Sequence, residues 1–470
     1  MAGLAADKRP NILWYCTDQQ RFDTISALGC PGGATPHLDH WLQSATAFTH
    51  AYCQSPICTP SRSSFMTGMY PSRLHNCRNG NDRFAAHPRL ISKRIAEAGY
   101  DTGMVGKFHL QSSGHRTEPR LDDGYRYWKF SHAPRDDWST GHDYAEWVRA
   151  RGGDLDALRE HEDRVPSELH QTTWTSDCAL EFLSQARDQP WFLTLNPYDP
   201  HPPFIPPRSY AERFSEADMP GPHFRDSDLE QQRRLKDVAF QTVGAHPDAF
   251  GGRRVQADYY AMIAQIDDQF ARLLQFLDDS GQREQTVVVF TSDHGEMLGD
   301  HGLLYKGCRF YEGLVRVPLI FSWPGRIQQN LRSSALVELI DLSATLLELA
   351  GVPVPEQMQG RSLLPILLGQ ASPDTHRDFV RCEYFDALAP SFISGNLSYA
   401  TMYRNRRHKL CLYHSHGLGE LYDLEADPWE HENLWDSDRH RGTREELLRA
   451  SFDATMMHSI DVGSERIAPM

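Results

Sequence analysis

The chain has 470 residues, 40% hydrophobic and 11% aromatic, enough for a sizeable core and too many for a disordered or fibrous protein. Lys plus Arg number 48 against 63 Asp plus Glu, a net charge of −15 with no basic block, which argues against a nucleic-acid binder. A field of that sign does not steer small anions inward, so a site for an anionic substrate must carry its own cations.

No apolar stretch reaches the ~18 residues of a membrane helix, so no membrane association is expected. Lys8 and Arg9 are followed by no apolar leader segment, and nine sparse cysteines contain no Cys-x-x-Cys pair. Together these predict reduced thiols and a cytoplasmic location.

In chain order, Asn11 to Thr17 reads as a buried strand ending at Asp18. His87 to Gly99 has helical spacing closed by a glycine, and Thr102 to Lys107 is a short strand. A helix over Ser167 to Arg187 precedes a strand over Trp191 to Asn196. Val255 to Ser280 carries one apolar stripe that includes Tyr259, Ile263, Ile266, Phe270 and Leu277, the mark of a long amphipathic helix. Thr286 to Thr291 and Val317 to Ser322 are continuous apolar runs, as strands covered on both faces would be. A helix over Asp341 to Ala350 is closed by Gly351. This alternation predicts an α/β fold with a mostly parallel central sheet flanked by helices.

Residues 112–165 and 204–254 read as polar insertions suited to a pocket rim, with Trp128, Trp138 and Tyr198 as candidate lining aromatics. After about residue 370 come four short strands, near 379–385, 400–404, 409–413 and 420–423, and a helix over Thr443 to Met456. The expected division is a catalytic α/β domain over 1–370 and a smaller α+β C-terminal domain with a short antiparallel sheet over 371–470.

In an open parallel sheet, ligands sit at the carboxyl ends of strands. Four strands here end in ionisable residues: Asp18-Gln19, Lys107 with His109, Asn196 to His201, and Asp293-His294 with Lys306 beyond. Mostly oxygen donors suit a hard divalent cation, Ca²⁺ or Mg²⁺, better than Zn²⁺. Pro60 marks a helix starting just after Cys58, whose free N–H groups favour an anion, and Arg62 adds a guanidinium suited to sulfate or phosphate oxygens. Cys58 would there be either a thiolate nucleophile, a covalently converted residue or a buried structural thiol.

Cys58-x-Pro60-x-Arg62 followed by Met66-Thr67-Gly68 resembles the signature of the formylglycine-dependent sulfatases, of the alkaline phosphatase superfamily. Met66 stands where the usual pattern has Leu. Asp18-Gln19 and Asp293-His294 resemble the two metal pairs of that family. Gly106-Lys107-Phe108-His109 resembles its Gly-Lys-x-His, Pro200-His201-Pro202-Pro203 its Pro-His-x-Pro, and Lys306 its last lysine. Asn79 resembles an active-site Asn of one branch, and Leu421 to Leu434 the C-terminal signature.

The resemblance implies an alkaline-phosphatase-like fold and hydrolysis of sulfate esters by a formylglycine hydrate derived from Cys58. It implies one divalent ion, Ca²⁺ foremost with Mg²⁺ or Mn²⁺ as alternatives, held by Asp18, Gln19, residue 58, Asp293 and His294. Arg62 would orient the hydrate, Lys107 and Lys306 would hold sulfate oxygens, His109 would deprotonate the second hydroxyl, and His201 with Lys306 would protonate the leaving group. A small anionic sulfate ester and a maturation enzyme that converts Cys58 are the expected partners. A phosphonate monoester or phosphodiester hydrolase on the same scaffold is the alternative, kept open by Gln19 and Asn79. A non-catalytic binding protein is the third reading, and it requires losing chemistry residues, of which none is lost.

Overall fold

The computed structural model describes residues 9–30, 33–81, 84, 89–112, 118–136, 141–160 and 164–459. Thirteen strands run through them: β1 (Asn11–Thr17), β2 (Thr46–Tyr52), β3 (Asp101–Gly106), β4 (Tyr127–Phe130), β5 (Trp191–Asn196), β6 (Thr286–Ser292), β7 (Arg316–Val317), β8 (Leu319–Ser322), β9 (Leu331–Glu338), β10 (Phe379–Phe385), β11 (Tyr399–Asn405), β12 (His408–His414) and β13 (Leu418–Asp423). The first nine form one sheet in the order β4-β3-β5-β1-β6-β8-β2, with β7 and β9 also pairing β2. Its β3, β4, β5, β1 and β6 pair in parallel, as do β2 and β9. The last four form an antiparallel sheet, in chain order.

Both faces of the large sheet are covered, which is why its central strands read as unbroken apolar runs. Along β1, Ile12, Trp14 and Cys16 face one core, with Phe65 and Met66 of the helix Cys58–Thr67 and Leu342 and Leu346 of the helix Leu339–Leu349. Leu13 and Tyr15 face the other, with Trp174 and Phe182 of the helix Gln171–Leu183 and Ile266, Phe270 and Leu277 of the helix Gly252–Asp279. The Phe270 ring meets Tyr15 edge-on at 5.5 Å, so the expected apolar stripe is the buried stripe.

Four expectations need correction. The run over 317–322 is not one parallel strand: β7 and β8 are split at Pro318, which lacks a ladder N–H, and both pair antiparallel. The strands β2 and β9 are additional to the sequence reading. The insertion over 112–165 is not plain loop, for it holds β4 and the helices Asp143–Ala150 and Leu155–Glu160. The helix expected from His87 begins at Ile91 and ends at Glu97; His87 itself lies outside the described residues.

The helix expected over 443–456 spans Arg441–Ser459. A buried ammonium ties the small sheet to the helix Glu312–Val315 that leads into β7: Lys409 of β12 pairs with Glu312 and Glu430, 2.7 Å from each. None of the described helices is long and apolar enough to cross a membrane, and the nine cysteines form no disulfide with one another.

Candidate active site

The parallel register of β1 and β6 sets Thr17 opposite Ser292, so the next residue of each strand, Asp18 and Asp293, leaves the sheet side by side. Gln19 follows in the left-handed region at φ 69°, and its N–H donates to Asp293 Oδ1 at 2.9 Å. The Gln19 side chain is fixed at both ends. Its amide nitrogen donates to Glu296, and its oxygen accepts from Lys306 Nζ at 2.7 Å. Glu296 also accepts from the N–H of Leu298 and Tyr305, so it braces the loop that carries Lys306. It stood inside the Asp293-His294 motif without an assigned role.

The helix Cys58–Thr67 is wholly buried and points its first residue at this edge. Ile57 is extended, Cys58 begins the helix, and Gly68 closes it at φ 72° with its N–H on Ser64 O at 2.7 Å. Ser61 Oγ donates to Asp293 O at 2.6 Å, anchoring the helix to the end of β6. Arg62 Nε donates to Asp293 Oδ2 at 2.8 Å and Nη1 to Lys107 O at 2.7 Å. With Nη2 3.8 Å from Asp18 Oδ2, one guanidinium ties the ends of β6, β3 and β1 together.

Cys58 Sγ lies 2.9 Å from Lys306 Nζ, 3.2 Å from His294 Nε2, 3.7 Å from Lys107 Nζ and 3.8 Å from Asp18 Oδ1. Lys107 also binds Asp18 and sits 5.3 Å over the Tyr198 ring. Burial pushes the Cys58 thiol up, but Lys107 and Lys306 outweigh it and bring the thiol down to about 7. Burial likewise opposes ionisation of Asp18, yet Lys107, His201, Arg62 and Lys306 hold its carboxyl well below the ordinary range.

His201 donates from Nδ1 to Pro202 O at 2.7 Å, which leaves Nε2 to accept from Lys306 Nζ at 3.0 Å. Burial, then the Lys306 charge, keeps this imidazole well below its usual pKa, hence neutral. His294 donates from Nδ1 to Gly295 O at 2.8 Å, turning Nε2 toward Cys58.

Nine of the eleven residues expected from sequence meet in this one network: Asp18, Gln19, Cys58, Arg62, Lys107, His201, Asp293, His294 and Lys306. His109 and Asn79 line the same cavity, of about 490 Å³, without a bond to Cys58. Asn79 Oδ1 accepts from Thr59 N at 3.2 Å and Thr59 Oγ1 at 2.9 Å, so it caps the first turn of the helix behind Cys58. His109 stands at φ 55° with its ring edge-on to His132 at 4.4 Å, and its Nδ1 is buried without a hydrogen-bond partner among the described residues. Burial, then His132 and Lys107, keeps it well below its ordinary pKa.

Sequence reading missed Glu118, which accepts the N–H groups of His109, Leu110 and Gln111 at 2.6–2.8 Å and so holds the turn that presents His109. A carboxylate nine positions beyond its partner, outside any helix, leaves no periodic trace. Both insertions reach the rim, the first through His132, Pro134, Arg135 and Arg159 and the second through Gln241; the C-terminal part adds Phe392. Tyr198 lines the cavity as expected. Trp128 does not: it packs on Phe108 at 5.4 Å, part of the core. Trp138 lies outside the described residues.

The donor atoms of Asp18, Cys58, Asp293 and His294 lie within 4.8 Å of one another, all fully buried. Two carboxylates facing one centre, with the Gln19 oxygen beside them, fit an oxygen-seeking divalent cation. Buried carboxylates are not left without a compensating charge, and Lys107, Arg62 and Lys306 supply part of it.

The strand ends of this α/β sheet thus gather cationic and carboxylate side chains around a buried cysteine at a helix start. Residues 10–352 match the Sulfatase family model, and residues 299–455 the model for the C-terminal part of N-sulphoglucosamine sulphohydrolase. The chain therefore belongs to the sulfatase family. It is 29% identical to an arylsulfatase of Clostridium perfringens over 459 residues, 92% of each chain. It is also 29% identical to the multifunctional alkaline phosphatase superfamily protein PehA of Trinickia caryophylli, over 91% of each. The solved phosphonate monoester hydrolase of Agrobacterium radiobacter shares the fold, with a TM-score of 0.80 over 96% of each chain at 24% identity.

Proposed function

We propose that this protein hydrolyses sulfate esters, with Cys58 converted by a maturation enzyme to formylglycine and acting as its hydrate. One observation carries the reading: the Cys58 side chain lies at the floor of the cavity, ringed by Lys107, Lys306 and His294 within 3.7 Å. In a chain of net charge −15, that is the local positive field an anionic ester requires.

One hydroxyl of the hydrate gives its proton to Asp293 as its oxygen attacks sulfur, and the bond from sulfur to the alcohol oxygen breaks. The alcohol leaves with the electron pair and takes a proton from Lys306, oriented by the neutral His201. Lys107 stabilises the charge growing on the sulfuryl oxygens. His109 then takes the proton of the second hydroxyl, the carbonyl re-forms, and sulfate departs with the bond to residue 58. Water adds to the aldehyde to restore the hydrate. Arg62 fixes Asp293 throughout. A divalent ion held by Asp18, Gln19, residue 58, Asp293 and His294, Ca²⁺ by its donor set, supplies charge that acidifies the attacking hydroxyl.

Peptide mass spectrometry across residues 53–73, together with turnover of an aryl sulfate, tests the reading. An aldehyde at position 58 and sulfate release support it; an unmodified thiol in fully active protein removes it. The phosphonate monoester reading rests on Gln19 and on Asn79 beside Thr59. Lys107 and His109 weigh for sulfate, because the phosphorus-directed branch that this chain resembles departs from Lys and His at these places. Side-by-side turnover of an aryl phosphonate monoester separates the two.

A further inference from the structure

Away from the cavity, three buried or half-buried side chains converge from distant parts of the chain. Asp228 lies in the first turn of the helix Asp226–Arg234, His301 in the loop between β6 and Lys306, and His431 in the turn after β13. We propose that Asp228, His301 and His431 form a second metal site, one that takes Zn²⁺.

Asp228 Oδ1 and Oδ2 are 3.1 and 3.0 Å from His431 Nδ1, and Oδ1 is 3.5 Å from His301 Nδ1. All three donors fall within 4.8 Å of one another. Tetrahedral Zn²⁺ with ligands at about 2.0–2.1 Å places neighbouring donors roughly 3.3 Å apart. The observed separations bracket that edge length.

Asp228 draws both imidazoles onto one carboxylate, His431 at 3.0 Å and His301 at 3.5 Å. His301 is firmly presented. Its backbone is left-handed at φ 54°, its N–H donates to His223 O at 3.0 Å, and its ring stacks on Tyr311 at 3.8 Å. Two imidazoles and one carboxylate select Zn²⁺ over Ca²⁺, and water completes the fourth position. The ion ties the second insertion and the C-terminal part to the loop that delivers Lys306. It touches none of the residues assigned to hydrolysis, so it stands or falls apart from the chemistry at Cys58.

The test uses full-length protein saturated with Ca²⁺, then dialysed against Zn²⁺ and assayed for metal content. One retained Zn²⁺ per chain is expected, unchanged in Cys58→Ala and bound at least tenfold more weakly in His431→Gln. Wild-type protein that retains no Zn²⁺, or His431→Gln that retains as much, overturns the proposal. Co²⁺ added to Ca²⁺-saturated wild type gives a second readout that needs no variant. Four-coordinate visible absorption supports the site, and its absence refutes it.

Discussion

Lys306 and Cys58 are 248 positions apart in sequence, yet the ammonium of one rests 2.9 Å from the sulfur of the other. The same ammonium reaches Gln19 at 2.7 Å and His201 at 3.0 Å. Cys58, Gln19 and His201, the proposed nucleophile, metal ligand and leaving-group side, therefore share one cation.

That sharing predicts a leaving-group signature. Lys306→Ala is expected to lower kcat/KM on aryl sulfates by about 10²-fold or more, as removal of a buried charge-stabilising donor does. The loss grows as the leaving phenol becomes less acidic, because a poor leaving group depends most on its proton donor. A loss that is flat across a series of phenols would assign Lys306 to the sulfate oxygens alone.

The divalent ion proposed for the cavity gives a second expectation. Dialysis against a chelator should abolish turnover and lower Tm, and Ca²⁺ should restore both. An ion present at 100 times its Kd stabilises by about 2.7 kcal/mol. In Asp293→Asn the chelator should shift Tm far less, since a ligand is already gone. Equal shifts in both proteins would place the stabilising ion elsewhere.

Glu118 carries a pH dependence. Burial raises its carboxyl from the ordinary 4.5 to about 7. Between those values the folded chain holds a proton that the unfolded chain has released. Its contribution is therefore greatest below about 4.5 and is lost as pH rises to about 7, on the order of 3 kcal/mol at ~1.4 kcal/mol per pH unit. Urea midpoints of wild type and Glu118→Gln, measured across that window, should converge as pH rises. Parallel curves would assign the slope to other groups. Independently of pH, the variant turns an amide nitrogen toward one of three backbone donors, a cost of about 1–3 kcal/mol with His109 displaced.

Gly106 is a backbone requirement, because a Cβ there would lie 2.0 Å from the Asn196 carbonyl oxygen at φ +95°. Gly106→Ala should destabilise by more than about 1 kcal/mol and reduce activity further than the stability loss explains, because Lys107 is the next residue. Denaturation and kinetics on the same preparation check both parts.

The strand-end carboxylates were legible because a buried strand that terminates in Asp18 or Asp293 breaks an apolar run abruptly. Pro60 and Arg62 were legible because a helix start beside a guanidinium has a chemical meaning in one dimension. The strand β9 was not: it lies at the sheet's margin, paired with β2 and with a single bridge from Leu336 to Arg377, so its Arg332, Ser333 and Ser334 mix with apolar residues in no clean period. The strand β2 shifts register between Phe48 and His50, which breaks its alternation too. Glu118 and His132 act through contacts made only once the chain has turned back on itself, and no spacing encodes those. Asn79 showed as a turn residue, and it is one that spends its oxygen on the helix behind Cys58.

The Lys409 ammonium between Glu312 and Glu430 has a consequence for any attempt to divide the molecule. A fragment ending near residue 370 would take Lys409 from Glu312 and leave it only Arg316, at 3.4 Å, and it would strip Arg377 from Asp341 and Glu338. Such a fragment forfeits several kcal/mol for each stranded carboxylate. The two sheets should accordingly melt in a single calorimetric transition, and limited proteolysis should yield no stable core lacking the last hundred residues.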